Sequence, residues 1–188
     1  MSTRRYWIVV CIAAVALGLA ACGRDSNSEE ANANNNGGYV AAGPITYQLQ
    51  VSRQLNPYAT EDSQYLTGLP AGTPRPKPDE MWYGVFLKAK NQTDAAAKST
   101  DTFDIKDTQG NIYHPIDLNA SENPYAWKSV PLAPSGVEPG QDTTASFGPT
   151  QGRLLLFKLP TQVYSNRPLT LQIHAQGQES PSTISLDL

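Results

Sequence analysis

Apolar and polar residues alternate in short runs along most of this chain. A two-residue period is what a half-buried strand requires, because successive side chains of a strand point to opposite faces. Ile45-Thr46-Tyr47-Gln48-Leu49-Gln50-Val51 alternates without a slip, which predicts Ile45, Tyr47, Leu49 and Val51 on one face. Residues 81–91 form the clearest strand: Tyr83, Val85, Leu87 and Ala89 share a face, while Trp82 and Phe86 point the other way before Lys88 and Lys90 turn that face polar. Such a strand runs centrally at its start and near water at its end. Residues 102–106 and 112–116 flank Asp107-Thr108-Gln109-Gly110-Asn111, and two β-prone runs around such a loop read as a hairpin. Residues 143–147 read as a further strand, and 153–159 is nearly all apolar and reads as buried on both faces. Leu169, Leu171 and Ile173, then Ile184, Leu186 and Leu188, carry the alternation to the C-terminus, where a strand would pin the chain end into a sheet.

The intervening segments carry turn residues. Residues 52–80 have no period and contain Pro57, Pro70, Pro74, Pro76 and Pro78, which predicts a long surface loop. Three alanines at 95–97 are too few to nucleate a helix. Residues 117–130 are polar apart from aromatics such as Tyr125 and Trp127, and Pro131, Pro134, Gly136, Pro139 and Gly140 punctuate the next ten residues with turns. Seven or eight short strands, no helix of note and no internal repeat predict an all-β, antiparallel β-sandwich, with a closed barrel as the alternative. The long loops at 52–80 and 117–141 fit the ends of a sandwich.

The N-terminus carries a different signal. Arg4 and Arg5 precede an apolar run ending in Leu19-Ala20-Ala21-Cys22, which has the form of a secretory leader with a lipobox at its cut site. Cleavage before Cys22 would leave that residue as the new N-terminus, with diacylglycerol on its sulfur and an acyl chain such as palmitate on its amine. The run from Tyr6 to Ala21 falls short of the roughly twenty residues that span a bilayer. Thr3-Arg4-Arg5-Tyr6-Trp7-Ile8 also resembles a twin-arginine export motif. The organisation read here is a lipoprotein signal peptide at 1–21, a lipidated Cys22 with a disordered, Asn-rich tether through 43, and one sandwich domain over 44–188. This places the protein on the exported face of a bacterial cell membrane or outer membrane.

Composition narrows the function further. Cys11 leaves with the leader and Cys22 is taken by lipid, so the domain has no disulfide, thiolate nucleophile or cysteine metal ligand. Loss of Arg4 and Arg5 leaves twelve of the 14 basic residues against 17 acidic ones, a net charge near −5 with no basic stripe. Nucleic-acid binding, which needs clustered Lys and Arg, is not expected.

From residue 81 onward the order of features resembles the immunoglobulin-like (telokin-like) domain of unknown function found in bacterial lipoproteins and secreted proteins. The matching pieces are Tyr83 through Asn91, Phe103-Asp104-Ile105-Lys106-Asp107 with Gly110 and Tyr113, Val137-Glu138-Pro139-Gly140, and Leu154 through Pro160. The resemblance implies an immunoglobulin-like sandwich at a cell surface and brings no catalytic residues with it.

No catalytic constellation stands out, and the chain reads as a non-enzyme. His114 and His174 are the bases of the usual kind, both at strand ends, and two histidines make a poor zinc site. Asp101, Asp104 and Asp107 with Asn111 invite a calcium reading, but strand parity sends the carboxylates to opposite faces, and Asp107 fits the start of an Asx turn. No metal or cofactor is expected. Trp127 and Tyr125 in one polar loop, and Tyr58 and Tyr65 in the other, are either plugs over the core or anchors for a partner. The expected function is a lipid-anchored, non-catalytic binding or interaction domain whose loops contact an envelope protein or cell-surface ligand. A structural or accessory envelope protein without a discrete ligand, and then a hydrolase using scattered carboxylates, are the alternatives.

Overall fold

The computed structural model describes residues 39–186. The segment read as a leader, Cys22 and Leu188 therefore lie outside the described residues. In chain order the elements are β1 (Tyr39–Ala42), β2 (Ile45–Leu55), α1 (Thr60–Ser63), β3 (Glu80–Asn91), β4 (Ala97–Lys98), β5 (Phe103–Lys106), β6 (Ile112–Tyr113), β7 (Pro131–Leu132), β8 (Val137–Glu138), α2 (Thr144–Phe147), β9 (Arg153–Pro160), β10 (Leu169–Ile173) and β11 (Ser182–Leu186). Every pair of these strands is antiparallel. One sheet runs β1-β2-β3, with β9 along residues 80–87 of β3 and β8 along residues 89–90 of the same edge. The second sheet runs β11-β10-β5-β6, and β4 with β7 forms a small ribbon.

The two larger sheets close on one core, as a β-sandwich. Tyr47, Leu49, Tyr83, Val85, Leu87 and Phe157 from the first sheet meet Phe103, Ile105, Leu169, Leu171, Ile173 and Ile184 from the second, all essentially excluded from solvent. Each such aliphatic or aromatic side chain stabilises the fold by roughly 1.5–3 kcal/mol relative to exposure. The alternations at 81–91, 169–173 and 184–186 lie on strands with the faces read from sequence, and 153–159 is a strand buried on both faces, as its run of apolar residues implies. The hairpin around residues 107–111 is also present, as β5 paired with β6.

A second apolar cluster lies on the back of the first sheet. Leu55, Trp82, Phe86, Leu154 and Leu156 project away from the main core and are covered by Tyr65, Leu118, Tyr125, Ala126 and Ala145. The register explains how β2 serves both clusters. Leu49 pairs with Leu87, but Val51 pairs with Phe86, so Gln50 is an extra residue in the ladder. Such a bulge reverses the inside–outside parity of everything after it. Val51 therefore packs against the back cluster rather than continuing the face of Ile45, Tyr47 and Leu49. Gly84 sits under this crossing, where a Cβ would meet the Cδ1 atoms of Leu55 and Leu154 at 3.1 Å.

Other expectations are corrected. The sheet begins at Tyr39, inside the segment assigned to the tether, because β1 pairs with Gln48 through Ile45. Residues 52–80 are not one loop: β2 continues to Leu55, and α1 with a 3-10 turn at Gln64–Leu66 follows. That turn is held by buried Tyr65, whose ring outweighs the lack of period in the surrounding segment. Residues 144–147 are the helical turn α2 rather than a strand, fixed by Ala145 in the back cluster. Ala97 belongs to the ribbon β4.

Candidate functional site

Of the four aromatic residues read as either plugs over the core or anchors for a partner, three are packing residues. Tyr65 is 1% exposed and sits edge-on to Phe86 and Tyr125, at ring distances of 5.0 and 4.8 Å. Tyr125 donates its hydroxyl to Gln64 Oε1 at 2.7 Å, and burial, with a smaller contribution from Tyr65, raises its pKa. Trp127 closes one end of the main core against Tyr47 and Phe103 and donates its indole N–H to Thr100 O at 2.9 Å. Tyr58 alone keeps an open ring, at 85% exposure. The signal missed in sequence was the back of the first sheet: an apolar face there needs a cover, and loop aromatics supply it.

The carboxylates also have structural partners. Asp62 is buried, takes both ends of the Arg53 guanidinium at 2.5 and 3.1 Å, and accepts Asn56 N–H at 2.7 Å. Burial works to raise its pKa, and the guanidinium and N–H overcome it, so the carboxyl lies below its ordinary value. Asp107 starts the Asx turn expected of it. Its Oδ1 accepts the N–H groups of Gln109 and Asn111, and its Oδ2 accepts Asn111 and Asn166 side-chain amides and the Tyr113 hydroxyl. These donors overcome burial and hold the carboxyl at about 2. Oxygens so occupied have little left for a cation.

One constellation was invisible in sequence. The Asp104 carboxylate lies between both histidines, with Oδ1 against His114 Nδ1 and Oδ2 at 2.9 Å from His174 Nε2, the latter without hydrogen-bond alignment. The hairpin brings His114 back beside β5, and the β10 pairing delivers His174 from the other side. Among the described residues no three His, Cys, Asp or Glu side chains form a cluster able to hold a metal ion.

The site with open chemistry is the uncovered corner of the first sheet's back face. Before the bulge, β2 turns Thr46 and Gln48 to this side, and the end of β3 turns Lys88 and Lys90. Cross-strand register sets two rows, Tyr39–Gln48–Lys88 and Ala41–Thr46–Lys90–Val137. Among the described residues the cover seen over Trp82 and Phe86 does not extend here, and a groove of about 530 Å³ remains. α2 overhangs it: Ala145 is anchored in the back cluster while Phe147 projects outward, 76% exposed. Tyr39 and Val137, 60% and 39% exposed, also line it.

Charge in the groove is uneven. Glu138 below the rim is paired with Arg153, whose guanidinium also donates to Pro124 O. Lys88 donates to Gln151 Oε1 at 2.7 Å, and no carboxylate among the described residues forms an ion pair with Lys88 or Lys90. Asp142 and Gln141 also line the groove. The residues that make the groove aromatic, Tyr39 and Phe147, were read in sequence as tether and strand.

No family model matches the chain. None of the curated proteins matches it either. Among solved structures it is similar to the YjhA protein of Bacillus subtilis, with a TM-score of 0.48, 10% identity, and coverage of 81% of this chain and 98% of that one. A candidate lipoprotein of the same organism, YcdA, gives a TM-score of 0.47 at 9% identity over 80% of this chain, which spans 38% of that protein. An uncharacterized beta-sandwich protein of Clostridium difficile gives 0.43 at 10% identity, covering 81% of this chain and 91% of that one.

Proposed function

We propose that this protein is a lipid-anchored, non-catalytic binding module of the bacterial envelope, an immunoglobulin-like sandwich that holds a ligand in the groove between Tyr39 and Phe147. The observation that carries the reading is convergence. Of the six large apolar side chains that stand exposed among the described residues, Tyr39, Val137 and Phe147 line this one groove. Exposed apolar groups gathered around a concave, partly polar floor mark binding sites, whereas scattered ones are ordinary. Loops at the ends of the sandwich, the expected contact surface, are committed to covering the back cluster.

Lipidation at Cys22 is the second part of the proposal, with a leader at 1–21 and a tether ending where β1 begins. Sixteen residues lie between Cys22 and Tyr39, an r.m.s. reach of roughly 22 Å for a flexible chain. The groove then lies at the end of the domain where the tether enters. The immunoglobulin-like assignment is supported by the resembling segments falling on β3, β5, β8 and β9.

Two measurements test this. Labelled palmitate should enter the wild-type chain and be absent from Cys22→Ser, which should leave the membrane fraction. A photo-crosslinker at residue 147 should join the protein to an envelope component in living cells. A soluble wild-type chain refutes the anchor, and an uncrosslinked one refutes the groove.

A further inference from the structure

Resting on the groove as the ligand site, we infer that its ligand is a glycan whose sugars carry carboxylates. The floor and walls ask for two chemistries at once. Tyr39 and Phe147 provide exposed aromatic surface, which packs against the apolar C–H face of a pyranose ring. Thr46 on β2 and Lys90 opposite it on β3 provide hydroxyl and ammonium groups at the roughly 5 Å strand spacing that suits neighbouring sugar hydroxyls, with the Gln48 amide two residues along β2. An apolar peptide side chain would bury the Thr46 hydroxyl and the Lys90 ammonium without offering them partners, at a cost of about 1–3 kcal/mol each. A bare phosphate would leave the rings unused.

Charge selects among glycans. Lys88 and Lys90 occupy alternate positions on β3, so their side chains leave the same face about 7 Å apart. Lys88 keeps two N–H donors beyond its contact with Gln151, and Glu138, which also lines the groove, is held by Arg153. In a chain of net charge −3, two adjoining cations without carboxylate partners form a local positive site that complements an acidic sugar. Asp142, which also lines the groove, accepts hydrogen bonds from sugar hydroxyls and sets the orientation of the bound chain.

The full chain, purified in detergent, is titrated by calorimetry with an oligosaccharide containing N-acetylmuramic acid, with a hexuronic acid oligosaccharide, with an uncharged N-acetylglucosamine oligomer and with phosphatidylglycerol vesicles. At least one carboxylated sugar should bind about tenfold more tightly than the uncharged oligomer, and whichever of the two binds identifies the source of the carboxylate. Lys88→Gln with Lys90→Gln should erase that preference while the thermal midpoint stays unchanged, and Phe147→Ala should weaken all sugars about tenfold. Equal affinity for charged and uncharged oligomers, or binding of vesicles and of no sugar, overturns the inference. A crosslink from residue 147 to a protein, with no sugar bound, overturns the glycan and leaves the groove as the site. Absence of any crosslink overturns both.

Discussion

Asn166 donates its side-chain amide to Asp107 Oδ2 at 2.9 Å, joining the turn of the β5–β6 hairpin to the chain leaving β9 across 59 residues. The carboxylate is the common acceptor of both segments, so its charge state bears on how the second sheet is fastened. In the folded chain it titrates at about 2, against 3.8 when unconstrained. A depressed carboxyl contributes stability in full above the unfolded value and loses it as pH falls through the folded one. The contribution is about 2 kcal/mol. Urea unfolding should show stability falling between pH 4 and about 2, and Asp107→Asn should flatten that fall. A variant with the wild-type pH profile would refute the assignment.

The aromatic residues divide by cover. Tyr65→Ala and Trp127→Ala should each cost about 3 kcal/mol, because they open the back cluster and one end of the main core. Tyr58→Ala should change the unfolding midpoint by no more than a surface substitution does, about 0.5 kcal/mol. The Tyr65 hydroxyl is buried with no hydrogen-bond partner among the described residues, so Tyr65→Phe should gain about 1 kcal/mol. Thermal denaturation of the four variants checks the ranking, and a destabilised Tyr65→Phe would show that the hydroxyl has a partner.

Arg53 and Asp62 tie the end of β2 to α1. Removing one member leaves the other with its desolvation uncompensated, and the partly exposed guanidinium moderates the loss. Asp62→Asn should cost about 1–2 kcal/mol and raise hydrogen exchange at Asn56 N–H. Equal exchange rates in variant and wild type would remove Asp62 from that role.

Much of the sandwich could be read from residues because its cues are local. In β3, the switch from Trp82 and Phe86 to Lys88 and Lys90 already recorded a face that is covered at one end and bare at the other. What stayed hidden depends on distant segments. Nothing in Ile45 through Val51 marks Gln50 as surplus, because the bulge exists only against β3. Tyr39 follows an Asn- and Gly-rich stretch and becomes ordered through Gln48, and Phe147 is turned outward because Ala145 is drawn inward. The Asp104 contacts with His114 and His174 likewise need both the hairpin and the β10 pairing.

Deleting Gln50 provides a direct check of the register. The shortened strand would place Leu49 opposite Leu87 and Val51 opposite Phe86 in a regular ladder, so both clusters keep their residues. The variant should fold, with stability reduced by no more than about 1–2 kcal/mol. An unfolded product would mean that the local twist supplied by the bulge is indispensable.

The same surplus residue separates two jobs along one strand. Thr46 and Gln48, ahead of it, contribute side chains to neither apolar cluster, whereas Leu55, beyond it, is locked into one. Substitutions at Thr46 can therefore change the chemistry of that corner while the packing that keeps the chain folded goes untouched.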